Sequence, residues 1–333
     1  MNITEFAKRL NLSKGTVSRA LNDRPEVSAE TRQYVLEKAE LLGFSRNPNA
    51  RHLATGRTHL IQLECPYNTQ ILSDQYLVEL ARGLETTAGA HGFDLLLHLG
   101  NHNKSKADVP AVDGLIIVAG AETTLSDIKS LTAYGHTPAV VISDTYPTEL
   151  AASTSYVQID VQSGVRDALK QIAAMGHKRL GYIRSDNPSD NMTDLAAGVG
   201  LVLTPELIIQ AGVSQQQGYN AALQLLNRPR ESRPTVLLSR TDILAAGAVQ
   251  AAQHLGLRIP ADVSIVGHDD IDLAALVSPP LTTISIDLPS VARTAMELLT
   301  DMIAERSGPA IRVLTTTLIV RGSLGRVPVL DQR

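Results

Sequence analysis

A short segment near the N-terminus carries basic and polar side chains at spacings that suit contact with nucleic acid. Lys14 and Arg19 supply donors of the type that pairs with guanine in the major groove, and Gly15 would let the backbone approach base edges closely. Hydroxyl and amide groups suited to phosphate oxygens come from Ser13, Thr16, Ser18, Asn22, Ser28 and Thr31. Each residue alone could be an ordinary helix cap or a solvated side chain. Their combination predicts a DNA-binding surface.

Two short helices separated by a tight turn are predicted to position these groups. Asn2 and Glu5 have the spacing of a capping box at the start of the first helix. Asn11 tolerates the left-handed conformation that a tight turn between helices requires. Ser13 is the candidate N-cap of the second helix. Its predicted inward face is formed by Val17, Ala20 and Leu21. These proportions are typical of a helix-turn-helix.

A third amphipathic helix completes a predicted three-helix headpiece. Ser28 is its candidate N-cap, and Gly43 lies at the position just past its end. Its predicted apolar face consists of Val35, Leu36, Ala39 and Leu42. The charge distribution agrees with a polyanion-binding module, because residues 1–57 carry ten Lys and Arg against six Asp and Glu. Residues 58–333 carry 20 Lys and Arg against 28 Asp and Glu. A basic end of net charge +4 therefore precedes an acidic body of net charge −8.

The segment that follows the headpiece, residues 46–57, has the composition of a short helix that becomes ordered only on DNA. Pro48 suits the first turn and Gly56 the end, but an isolated helix of about two turns is unstable in water. Its predicted minor-groove contacts are Arg51, His52, Leu53 and Ala54. The basic side chains favour phosphate, and Leu53 could wedge into an opened base step. A flexible basic linker is the alternative interpretation.

From residue 60 onward, short β-branched runs alternate with helical periods. The predicted strands are 60–64, 93–99, 114–118, 139–143, 156–159, 180–184, 235–238, 263–267 and 282–285. The predicted helices include 75–90, 161–175, 217–227, 241–255 and 288–305. This alternation predicts an α/β body of doubly wound parallel sheets, long enough for two lobes. The cleft beyond the carboxyl ends of the strands is the default binding site.

The chain resembles the LacI/GalR-type family of bacterial transcriptional regulators. In the headpiece the resemblance is carried by residues 5–7, 12–22, 27–32, 42–44 and 47–48, which read EFA, LSKGTVSRALN, VSAETR, LGF and NP. In the body it is carried by Asp160 and by residues 175–180, 259–270, 279–284 and 321–323. A pattern of this length and spacing is far more specific than a lone glycine motif.

The resemblance implies a fold and a mechanism. The body is expected to be similar to periplasmic sugar-binding proteins, to form a homodimer, and to bind a small effector, most often a sugar or sugar derivative, between its lobes. Lys14, Gly15 and Arg19 fall at base-reading positions, and Leu53 at the intercalating position of the hinge helix. The expected domains are a headpiece (1–46), a hinge (47–58) and an effector-binding and dimerisation core (59–333). A pseudo-palindromic operator is the expected DNA partner, and whether the effector releases or tightens DNA is left open.

Candidate effector contacts lie at predicted strand ends. Asp74 and Tyr76 follow the first strand, and Asp144 and Asp269 follow two later ones. Carboxylates of this kind accept hydrogen bonds from sugar hydroxyls, although loop caps or solvated acids are the alternative interpretation. The resemblance favours Asp144 and Asp269.

The body departs from the family pattern in several places. Segments 98–112 and 185–205 are shortened, and the latter lacks an arginine that commonly contacts sugar hydroxyls. Arg184 is the candidate substitute for that arginine. Thr241, a further candidate effector contact, replaces an asparagine, and His268 stands where Phe or Tyr is usual.

Other classes of protein are disfavoured. No apolar leader and no uncharged run of about 18 residues occurs, so a cytoplasmic protein without membrane contact is expected. The lone Cys65 is expected to be a buried thiol. His98 and His102 are four residues apart, but on a strand running into a loop they predict no metal site. No P-loop, GxSxG or nucleophile–base pair appears, so neither catalysis nor a cofactor is expected.

Two rivals remain open: a carbohydrate-sensing or carrier protein with a non-functional headpiece, and a sugar-modifying enzyme fused to a headpiece. A dimer is expected rather than a tetramer, because the C-terminal tail has no heptad repeat.

Overall fold

The computed structural model describes residues 1–21, 24–44, 57–66, 74–98, 111–120, 123–132, 137–145, 154–185 and 191–327. The chain divides into two compact units. The small unit comprises Met1–His59 with Ala111–Asp113, and the large unit comprises Leu60–Pro110 with Gly114–Arg333. None of the helices in the described ranges is both long enough and apolar enough to cross a membrane.

Three helices of the small unit begin and end where the local chemistry of the sequence predicts. They are α1 (Ile3–Arg9), α2 (Lys14–Leu21) and α3 (Ala29–Leu41). The capping box of Asn2 and Glu5 is present, because each side chain accepts a hydrogen bond from the backbone N–H of the other residue. Asn11 adopts a left-handed conformation with φ of 54°, and Gly43 ends α3 with φ of 59°. The predicted turn and stop are therefore confirmed.

The core of the small unit corrects the predicted inward face of α3. Val35 is fully buried and Ala39 is partly buried, but the side chains of Leu36 and Leu42 are 44% and 37% exposed. Val35 and Ala39 lie one turn apart on the same side of the helix, whereas Leu36 is rotated by about 100° from Val35. The chain beyond the helix fills the remaining space, because Phe44 stacks on Phe6 with ring centroids 4.1 Å apart.

The described residues of the large unit form two sheets of six strands, and each sheet forms one lobe. The first sheet has the order β11-β5-β4-β3-β1-β2, and all of its neighbouring strands run parallel. Its strands are β1 (Leu60–Glu64), β2 (Asp94–Leu97), β3 (Gly114–Val118), β4 (Ala139–Ser143), β5 (Ser155–Asp160) and β11 (Ile311–Thr315). Its helices are α4 (Gln75–Ala90), α5 (Leu125–Thr132) and α11 (Leu288–Ile303). Apolar residues of α4 and α11 share one core with this sheet, and Ile128 of α5 belongs to a second cluster with Ile117, Val141 and Tyr156. Helices therefore cover both faces, as a parallel sheet requires.

The second lobe is built in the same way around a sheet of order β12-β10-β9-β8-β6-β7. Its strands are β6 (Leu180–Arg184), β7 (Ile208–Gln210), β8 (Val236–Ser239), β9 (Ser264–Asp269), β10 (Thr282–Ser285) and β12 (Thr317–Ile319). Its helices are α6 (Val161–Ala174), α7 (Met192–Gly198), α8 (Gln215–Leu226), α9 (Asp242–His254) and α10 (Asp272–Leu276), with a 3₁₀ turn at Pro205–Leu207. The edge strand β12 is antiparallel to β10, whereas the other pairs are parallel.

The predicted two-lobed parallel architecture is confirmed, with errors at its short elements. The sequence-based prediction missed α5, α7, α10, β7, β11 and β12. These elements have three to eight residues, and β7, β11 and β12 are partly exposed rather than continuous buried runs. The strand predicted over 93–99 covers only Asp94–Leu97, and Asp269 is the last residue of β9 rather than a residue after it. Residues 99–110, which form most of the shortened segment 98–112, lie outside the described residues.

The chain passes from one lobe to the other between β5 and α6, between β10 and α11, and between β11 and β12. Thr316 joins two of these crossings. Its hydroxyl donates to the carbonyl oxygen of Asp160 at 2.9 Å and accepts the backbone N–H of Gly164 at 2.9 Å. The Ser163 hydroxyl accepts the N–H of Thr316 at 3.0 Å. The two segments between the lobes are therefore fastened to each other.

Candidate DNA interface and effector cleft

The exposed face of α2 brings together the residues predicted to read bases. The side chains of Lys14 and Arg19 are exposed, whereas Val17, Ala20 and Leu21 face the core as predicted. A methyl group built on Gly15 would lie 3.5 Å from Arg19 Nη2, so the guanidinium lies directly beside this glycine. The face therefore presents a guanidinium, an ammonium and an open stretch of backbone to solvent. That combination is suited to the floor of a major groove.

The hydroxyl groups predicted to bind phosphate also cap helices. Ser13 Oγ accepts the N–H of Thr16 at 3.0 Å, and Ser28 Oγ accepts the N–H of Thr31 at 3.2 Å. Both serines are exposed, so capping leaves their outward surface accessible. Ser18 is partly buried on α2. Asn22 and the predicted hinge contacts Arg51, His52, Leu53 and Ala54 lie outside the described residues, and their roles stay predictions.

A cavity of about 740 Å³ lies in the large unit, between side chains of both lobes. Its described lining includes Asp144 and Gln158 from the first lobe, and Tyr182, Asn191 and Arg240 from the second. Asp144 is exposed and follows β4, so the sequence-based expectation that it lies at a strand end is confirmed. A cavity of this size can enclose a small organic molecule.

Arg240 is a cavity residue that the sequence analysis did not identify. It follows β8, and its backbone N–H donates to the carbonyl oxygen of Ile183 on the neighbouring strand at 2.8 Å. Its Nη1 lies 3.2 Å from Nδ1 of His268, whose side chain is 2% exposed. A basic residue at the end of an apolar strand run was the available signal, since VLLS directly precedes Arg240.

The predicted effector residue Asp269 lies beside His268, which contacts Arg240. Its Oδ1 lies 2.9 Å from His268 Nδ1, and its backbone has a φ of 105° at the end of β9. Burial, together with the negative charge of Asp74, raises the pKa of Asp269 to about 8, although the charge of Arg240 opposes this shift. Burial lowers the pKa of His268 well below its usual value. The imidazole is therefore neutral at pH 7, and Asp269 is largely protonated.

A second buried carboxyl group, Asp242, was also missed. It is fully buried at the start of α9, and it accepts hydrogen bonds from Thr283 Oγ1 at 2.6 Å and from the N–H of Ile271 at 3.1 Å. Burial and the nearby Asp269 raise its pKa to about 8. Thr241 caps the same helix, because its Oγ1 accepts the N–H of Leu244 at 3.3 Å.

The remaining predicted effector residues have structural partners as well. Asp74 caps α4 by accepting the N–H of Leu77 at 3.3 Å, which is the loop-cap alternative considered from the sequence. Tyr76 is partly buried, and burial together with the charge of Asp269 raises the pKa of its phenol well above the usual value. Arg184 Nη2 donates to Gln210 Oε1 at 3.3 Å and is not among the residues that line the cavity. An effector role for these residues stays a prediction.

Two other side chains that could do chemistry, Cys65 and His98, are held by burial or by a contact within the protein. Cys65 is buried, as expected, and burial raises the pKa of its thiol to about 12. His98 Nδ1 lies 2.8 Å from Oε1 of the buried Glu64. Within the described part of the chain, no group of three or more His, Cys, Asp or Glu side chains is arranged to hold a metal ion.

Comparisons with known protein families match both parts of the chain. Residues 2–47 match the model of bacterial regulatory proteins of the lacI family, and residues 169–324 match the periplasmic binding protein-like domain. The HTH-type transcriptional repressor CytR of Escherichia coli (strain K12) is 30% identical over 339 residues, covering 97% of this chain and 96% of that protein. The HTH-type transcriptional regulator AglR of Rhizobium meliloti (strain 1021) is 31% identical over 350 residues, covering 98% and 95%.

Solved structures share the fold. The lac repressor dimer bound to operator and the anti-inducer ONPF matches with a TM-score of 0.75 at 22% identity, covering 97% of this chain and 98% of that chain. The complex of the transcriptional regulator CelR with cellobiose matches with a TM-score of 0.69 at 23% identity, covering 97% and 100%. These relatives are regulators of transcription rather than enzymes, and they match the chain over nearly its full length.

Proposed function

Because this chain belongs to the lacI family of bacterial regulatory proteins, we propose that it represses transcription from an operator that it binds through α2. The observation that carries this proposal is the exposed face of α2, where Arg19 lies beside Gly15 and Lys14 is exposed. In this proposal Lys14 and Arg19 donate to base edges, and Gly15 allows close approach of the backbone. The hydroxyl groups that cap the N-termini of α2 and α3 contact phosphates.

The remaining parts of the proposal follow from the sequence. Residues 1–46 form the DNA-binding headpiece, 47–58 the hinge and 59–333 the effector-binding core. Two copies of the chain bind one pseudo-palindromic operator, since a symmetric dimer presents two equivalent headpieces to two half-sites. Arg51, His52, Leu53 and Ala54 enter the minor groove between those half-sites. The CelR structure is a complex with cellobiose and the lac repressor structure is a dimer on operator, which supports an effector and a dimer here.

The effector of this proposal is a small molecule, a sugar or sugar derivative, bound between the two lobes. Asp144 lines the cavity from one lobe, and the segments fastened at Thr316 join the lobes. An effector that binds one relative arrangement of the lobes better than another shifts the population of that arrangement, and with it the affinity for DNA.

Selection of operators from random DNA, followed by titration of the selected sequence, tests the DNA-binding part. Arg19→Ala should lose about 1–3 kcal/mol of discrimination at one base position, because a bidentate contact to guanine is removed. Arg9→Ala is the matched control, since it removes the same charge from the exposed end of α1. We expect the control to weaken all sequences equally.

Salt dependence provides the second measurement. Binding through phosphate contacts should give a log–log slope of about −0.9 per phosphate contacted. A flat salt dependence with no selected sequence would contradict the proposal and favour a carbohydrate carrier. A uniform loss across all sequences for Arg19→Ala would remove its base-reading role.

A further inference from the structure

We propose that Arg240 selects the effector, and that the effector is a small polyhydroxyl compound that carries one carboxylate or phosphate group. The inference rests on the proposed function, because it names the chemistry of the ligand for the same cleft. It is carried by the position of Arg240 on the cavity wall, by the way its side chain is held, and by the charges that face it.

The guanidinium of Arg240 is held from behind by a buried partner. Nη1 donates to Nδ1 of His268 at 3.2 Å, and His268 is 2% exposed. Burial keeps this imidazole neutral, so it accepts the hydrogen bond without adding a competing positive charge. Guanidinium presents five donors in a planar fork, and one such contact leaves the others available to the cavity.

The positive charge of Arg240 has no ion-pair partner among the described residues, since none of the ion pairs that they form includes Arg240. Asp269 interacts with Arg240, but burial raises the pKa of this carboxyl group to about 8, so it is largely neutral at pH 7. An anionic ligand would supply the missing countercharge, and carboxylate or phosphate oxygens match the guanidinium fork in a bidentate arrangement.

The other charged groups of the cavity explain why the rest of the ligand should carry hydroxyls. Asp160 and Arg166 pair with each other at 3.8 Å and so contribute little net charge. Asp144 lies on the wall formed by the first lobe, whereas Arg240 comes from the second. The carboxylate of Asp144 can accept hydrogen bonds from hydroxyl groups, as can the amide oxygens of Gln158 and Asn191. A ligand with hydroxyls at one end and an anion at the other would therefore bridge the two lobes.

Matched sets of ligands test this assignment by thermal shift and calorimetric titration of the full chain without DNA. Each set comprises a neutral hexose, its uronate and its 6-phosphate, for glucose, galactose and mannose. We expect at least one anionic member to bind, and its neutral parent to bind more weakly.

Arg240→Gln should weaken binding of the anionic member by about tenfold to a hundredfold, as expected for loss of a charged hydrogen-bonding partner. Arg240→Lys should retain part of the affinity, because it keeps the charge but loses the fork. Whether the uronate or the phosphate binds identifies the anionic group.

A control variant locates the effect. Arg293→Gln removes an exposed arginine that pairs with Glu297 on α11. This variant should retain binding of the anionic member. The inference is overturned if no anionic member binds, if the neutral parent binds as tightly, or if Arg240→Gln binds as well as the native protein.

Operator selection is a separate readout. Operator binding without any anionic ligand overturns this inference alone, and ligand binding without operator binding overturns the proposed repressor alone.

Discussion

The helices α8 and α9 of the second lobe pack closely against each other. Gly218 and Gly247 lie where the two helices touch through their backbones. A methyl group on Gly247 would lie 2.1 Å from the carbonyl oxygen of Gln215 and 2.5 Å from the backbone nitrogen of Tyr219. Ordinary contacts begin at 3.4 Å, so Gly247→Ala must push the two helices apart by about 1 Å.

The expected loss of stability is large because the added methyl group meets backbone atoms of α8, which cannot move independently of that helix. Overpacking a well-packed core costs about 1–3 kcal/mol, and backbone atoms on a second helix place this change at the upper end. Alanine gains about 0.5–1 kcal/mol over glycine in helix propensity, which offsets part of that cost. A net loss of about 2 kcal/mol should lower the midpoint of thermal unfolding by roughly 4–8 °C.

Gly89→Ala is the matched control, because Gly89 lies in α4 with no neighbouring atom within 4 Å of the added methyl group. Only the gain in helix propensity should apply, so this variant should unfold at a slightly higher temperature than the native protein. Thermal unfolding followed by far-UV circular dichroism measures both variants. Equal or raised midpoints for Gly247→Ala would refute the close approach of the two helices.

Two further predictions concern the DNA-binding face and the buried carboxyl groups. Gly15→Ala should leave the headpiece folded, because the added methyl group would lie no closer than 3.5 Å to any atom outside its own helix backbone, yet it should weaken operator binding in anisotropy titrations; unchanged affinity would contradict close approach of DNA to this position. The pKa values of Asp242 and Asp269 are raised from 3.8 to about 8 in the folded protein. Between these pH values the folded state binds more protons than the unfolded state. The free energy of unfolding should therefore fall as pH rises through that window. Asp242→Asn cannot ionise, so urea unfolding between about pH 5 and pH 8 should show a shallower decline than in the native protein; an identical decline would show that Asp242 is already ionised in the folded state.

Much of the architecture could be predicted from the sequence, because it depends on interactions between residues close in the chain. The capping box at Asn2, the left-handed turn at Asn11 and the stop at Gly43 are local backbone chemistry. The apolar runs GLIIV and AVVIS were predicted as strands for the same reason, since each is continuous and fully buried. Helix-turn-helix spacing also depends only on nearby residues, so the candidate base-reading residues could be proposed directly.

Only the tertiary structure decided which distant residues meet. β11 becomes a strand by pairing with β5, about 150 residues earlier, and its own partly exposed pattern gave no clear period. Leu36 and Leu42 are exposed because the surrounding helices and Phe44 fill the small core without them. Arg240 follows β8, whereas His268 and Asp269 end β9, and burial lowers the pKa of His268 and raises that of Asp269 in a way that no local sequence can set. Local propensity and periodicity therefore determined most of the elements, whereas long-range pairing and burial determined the chemistry of the cleft.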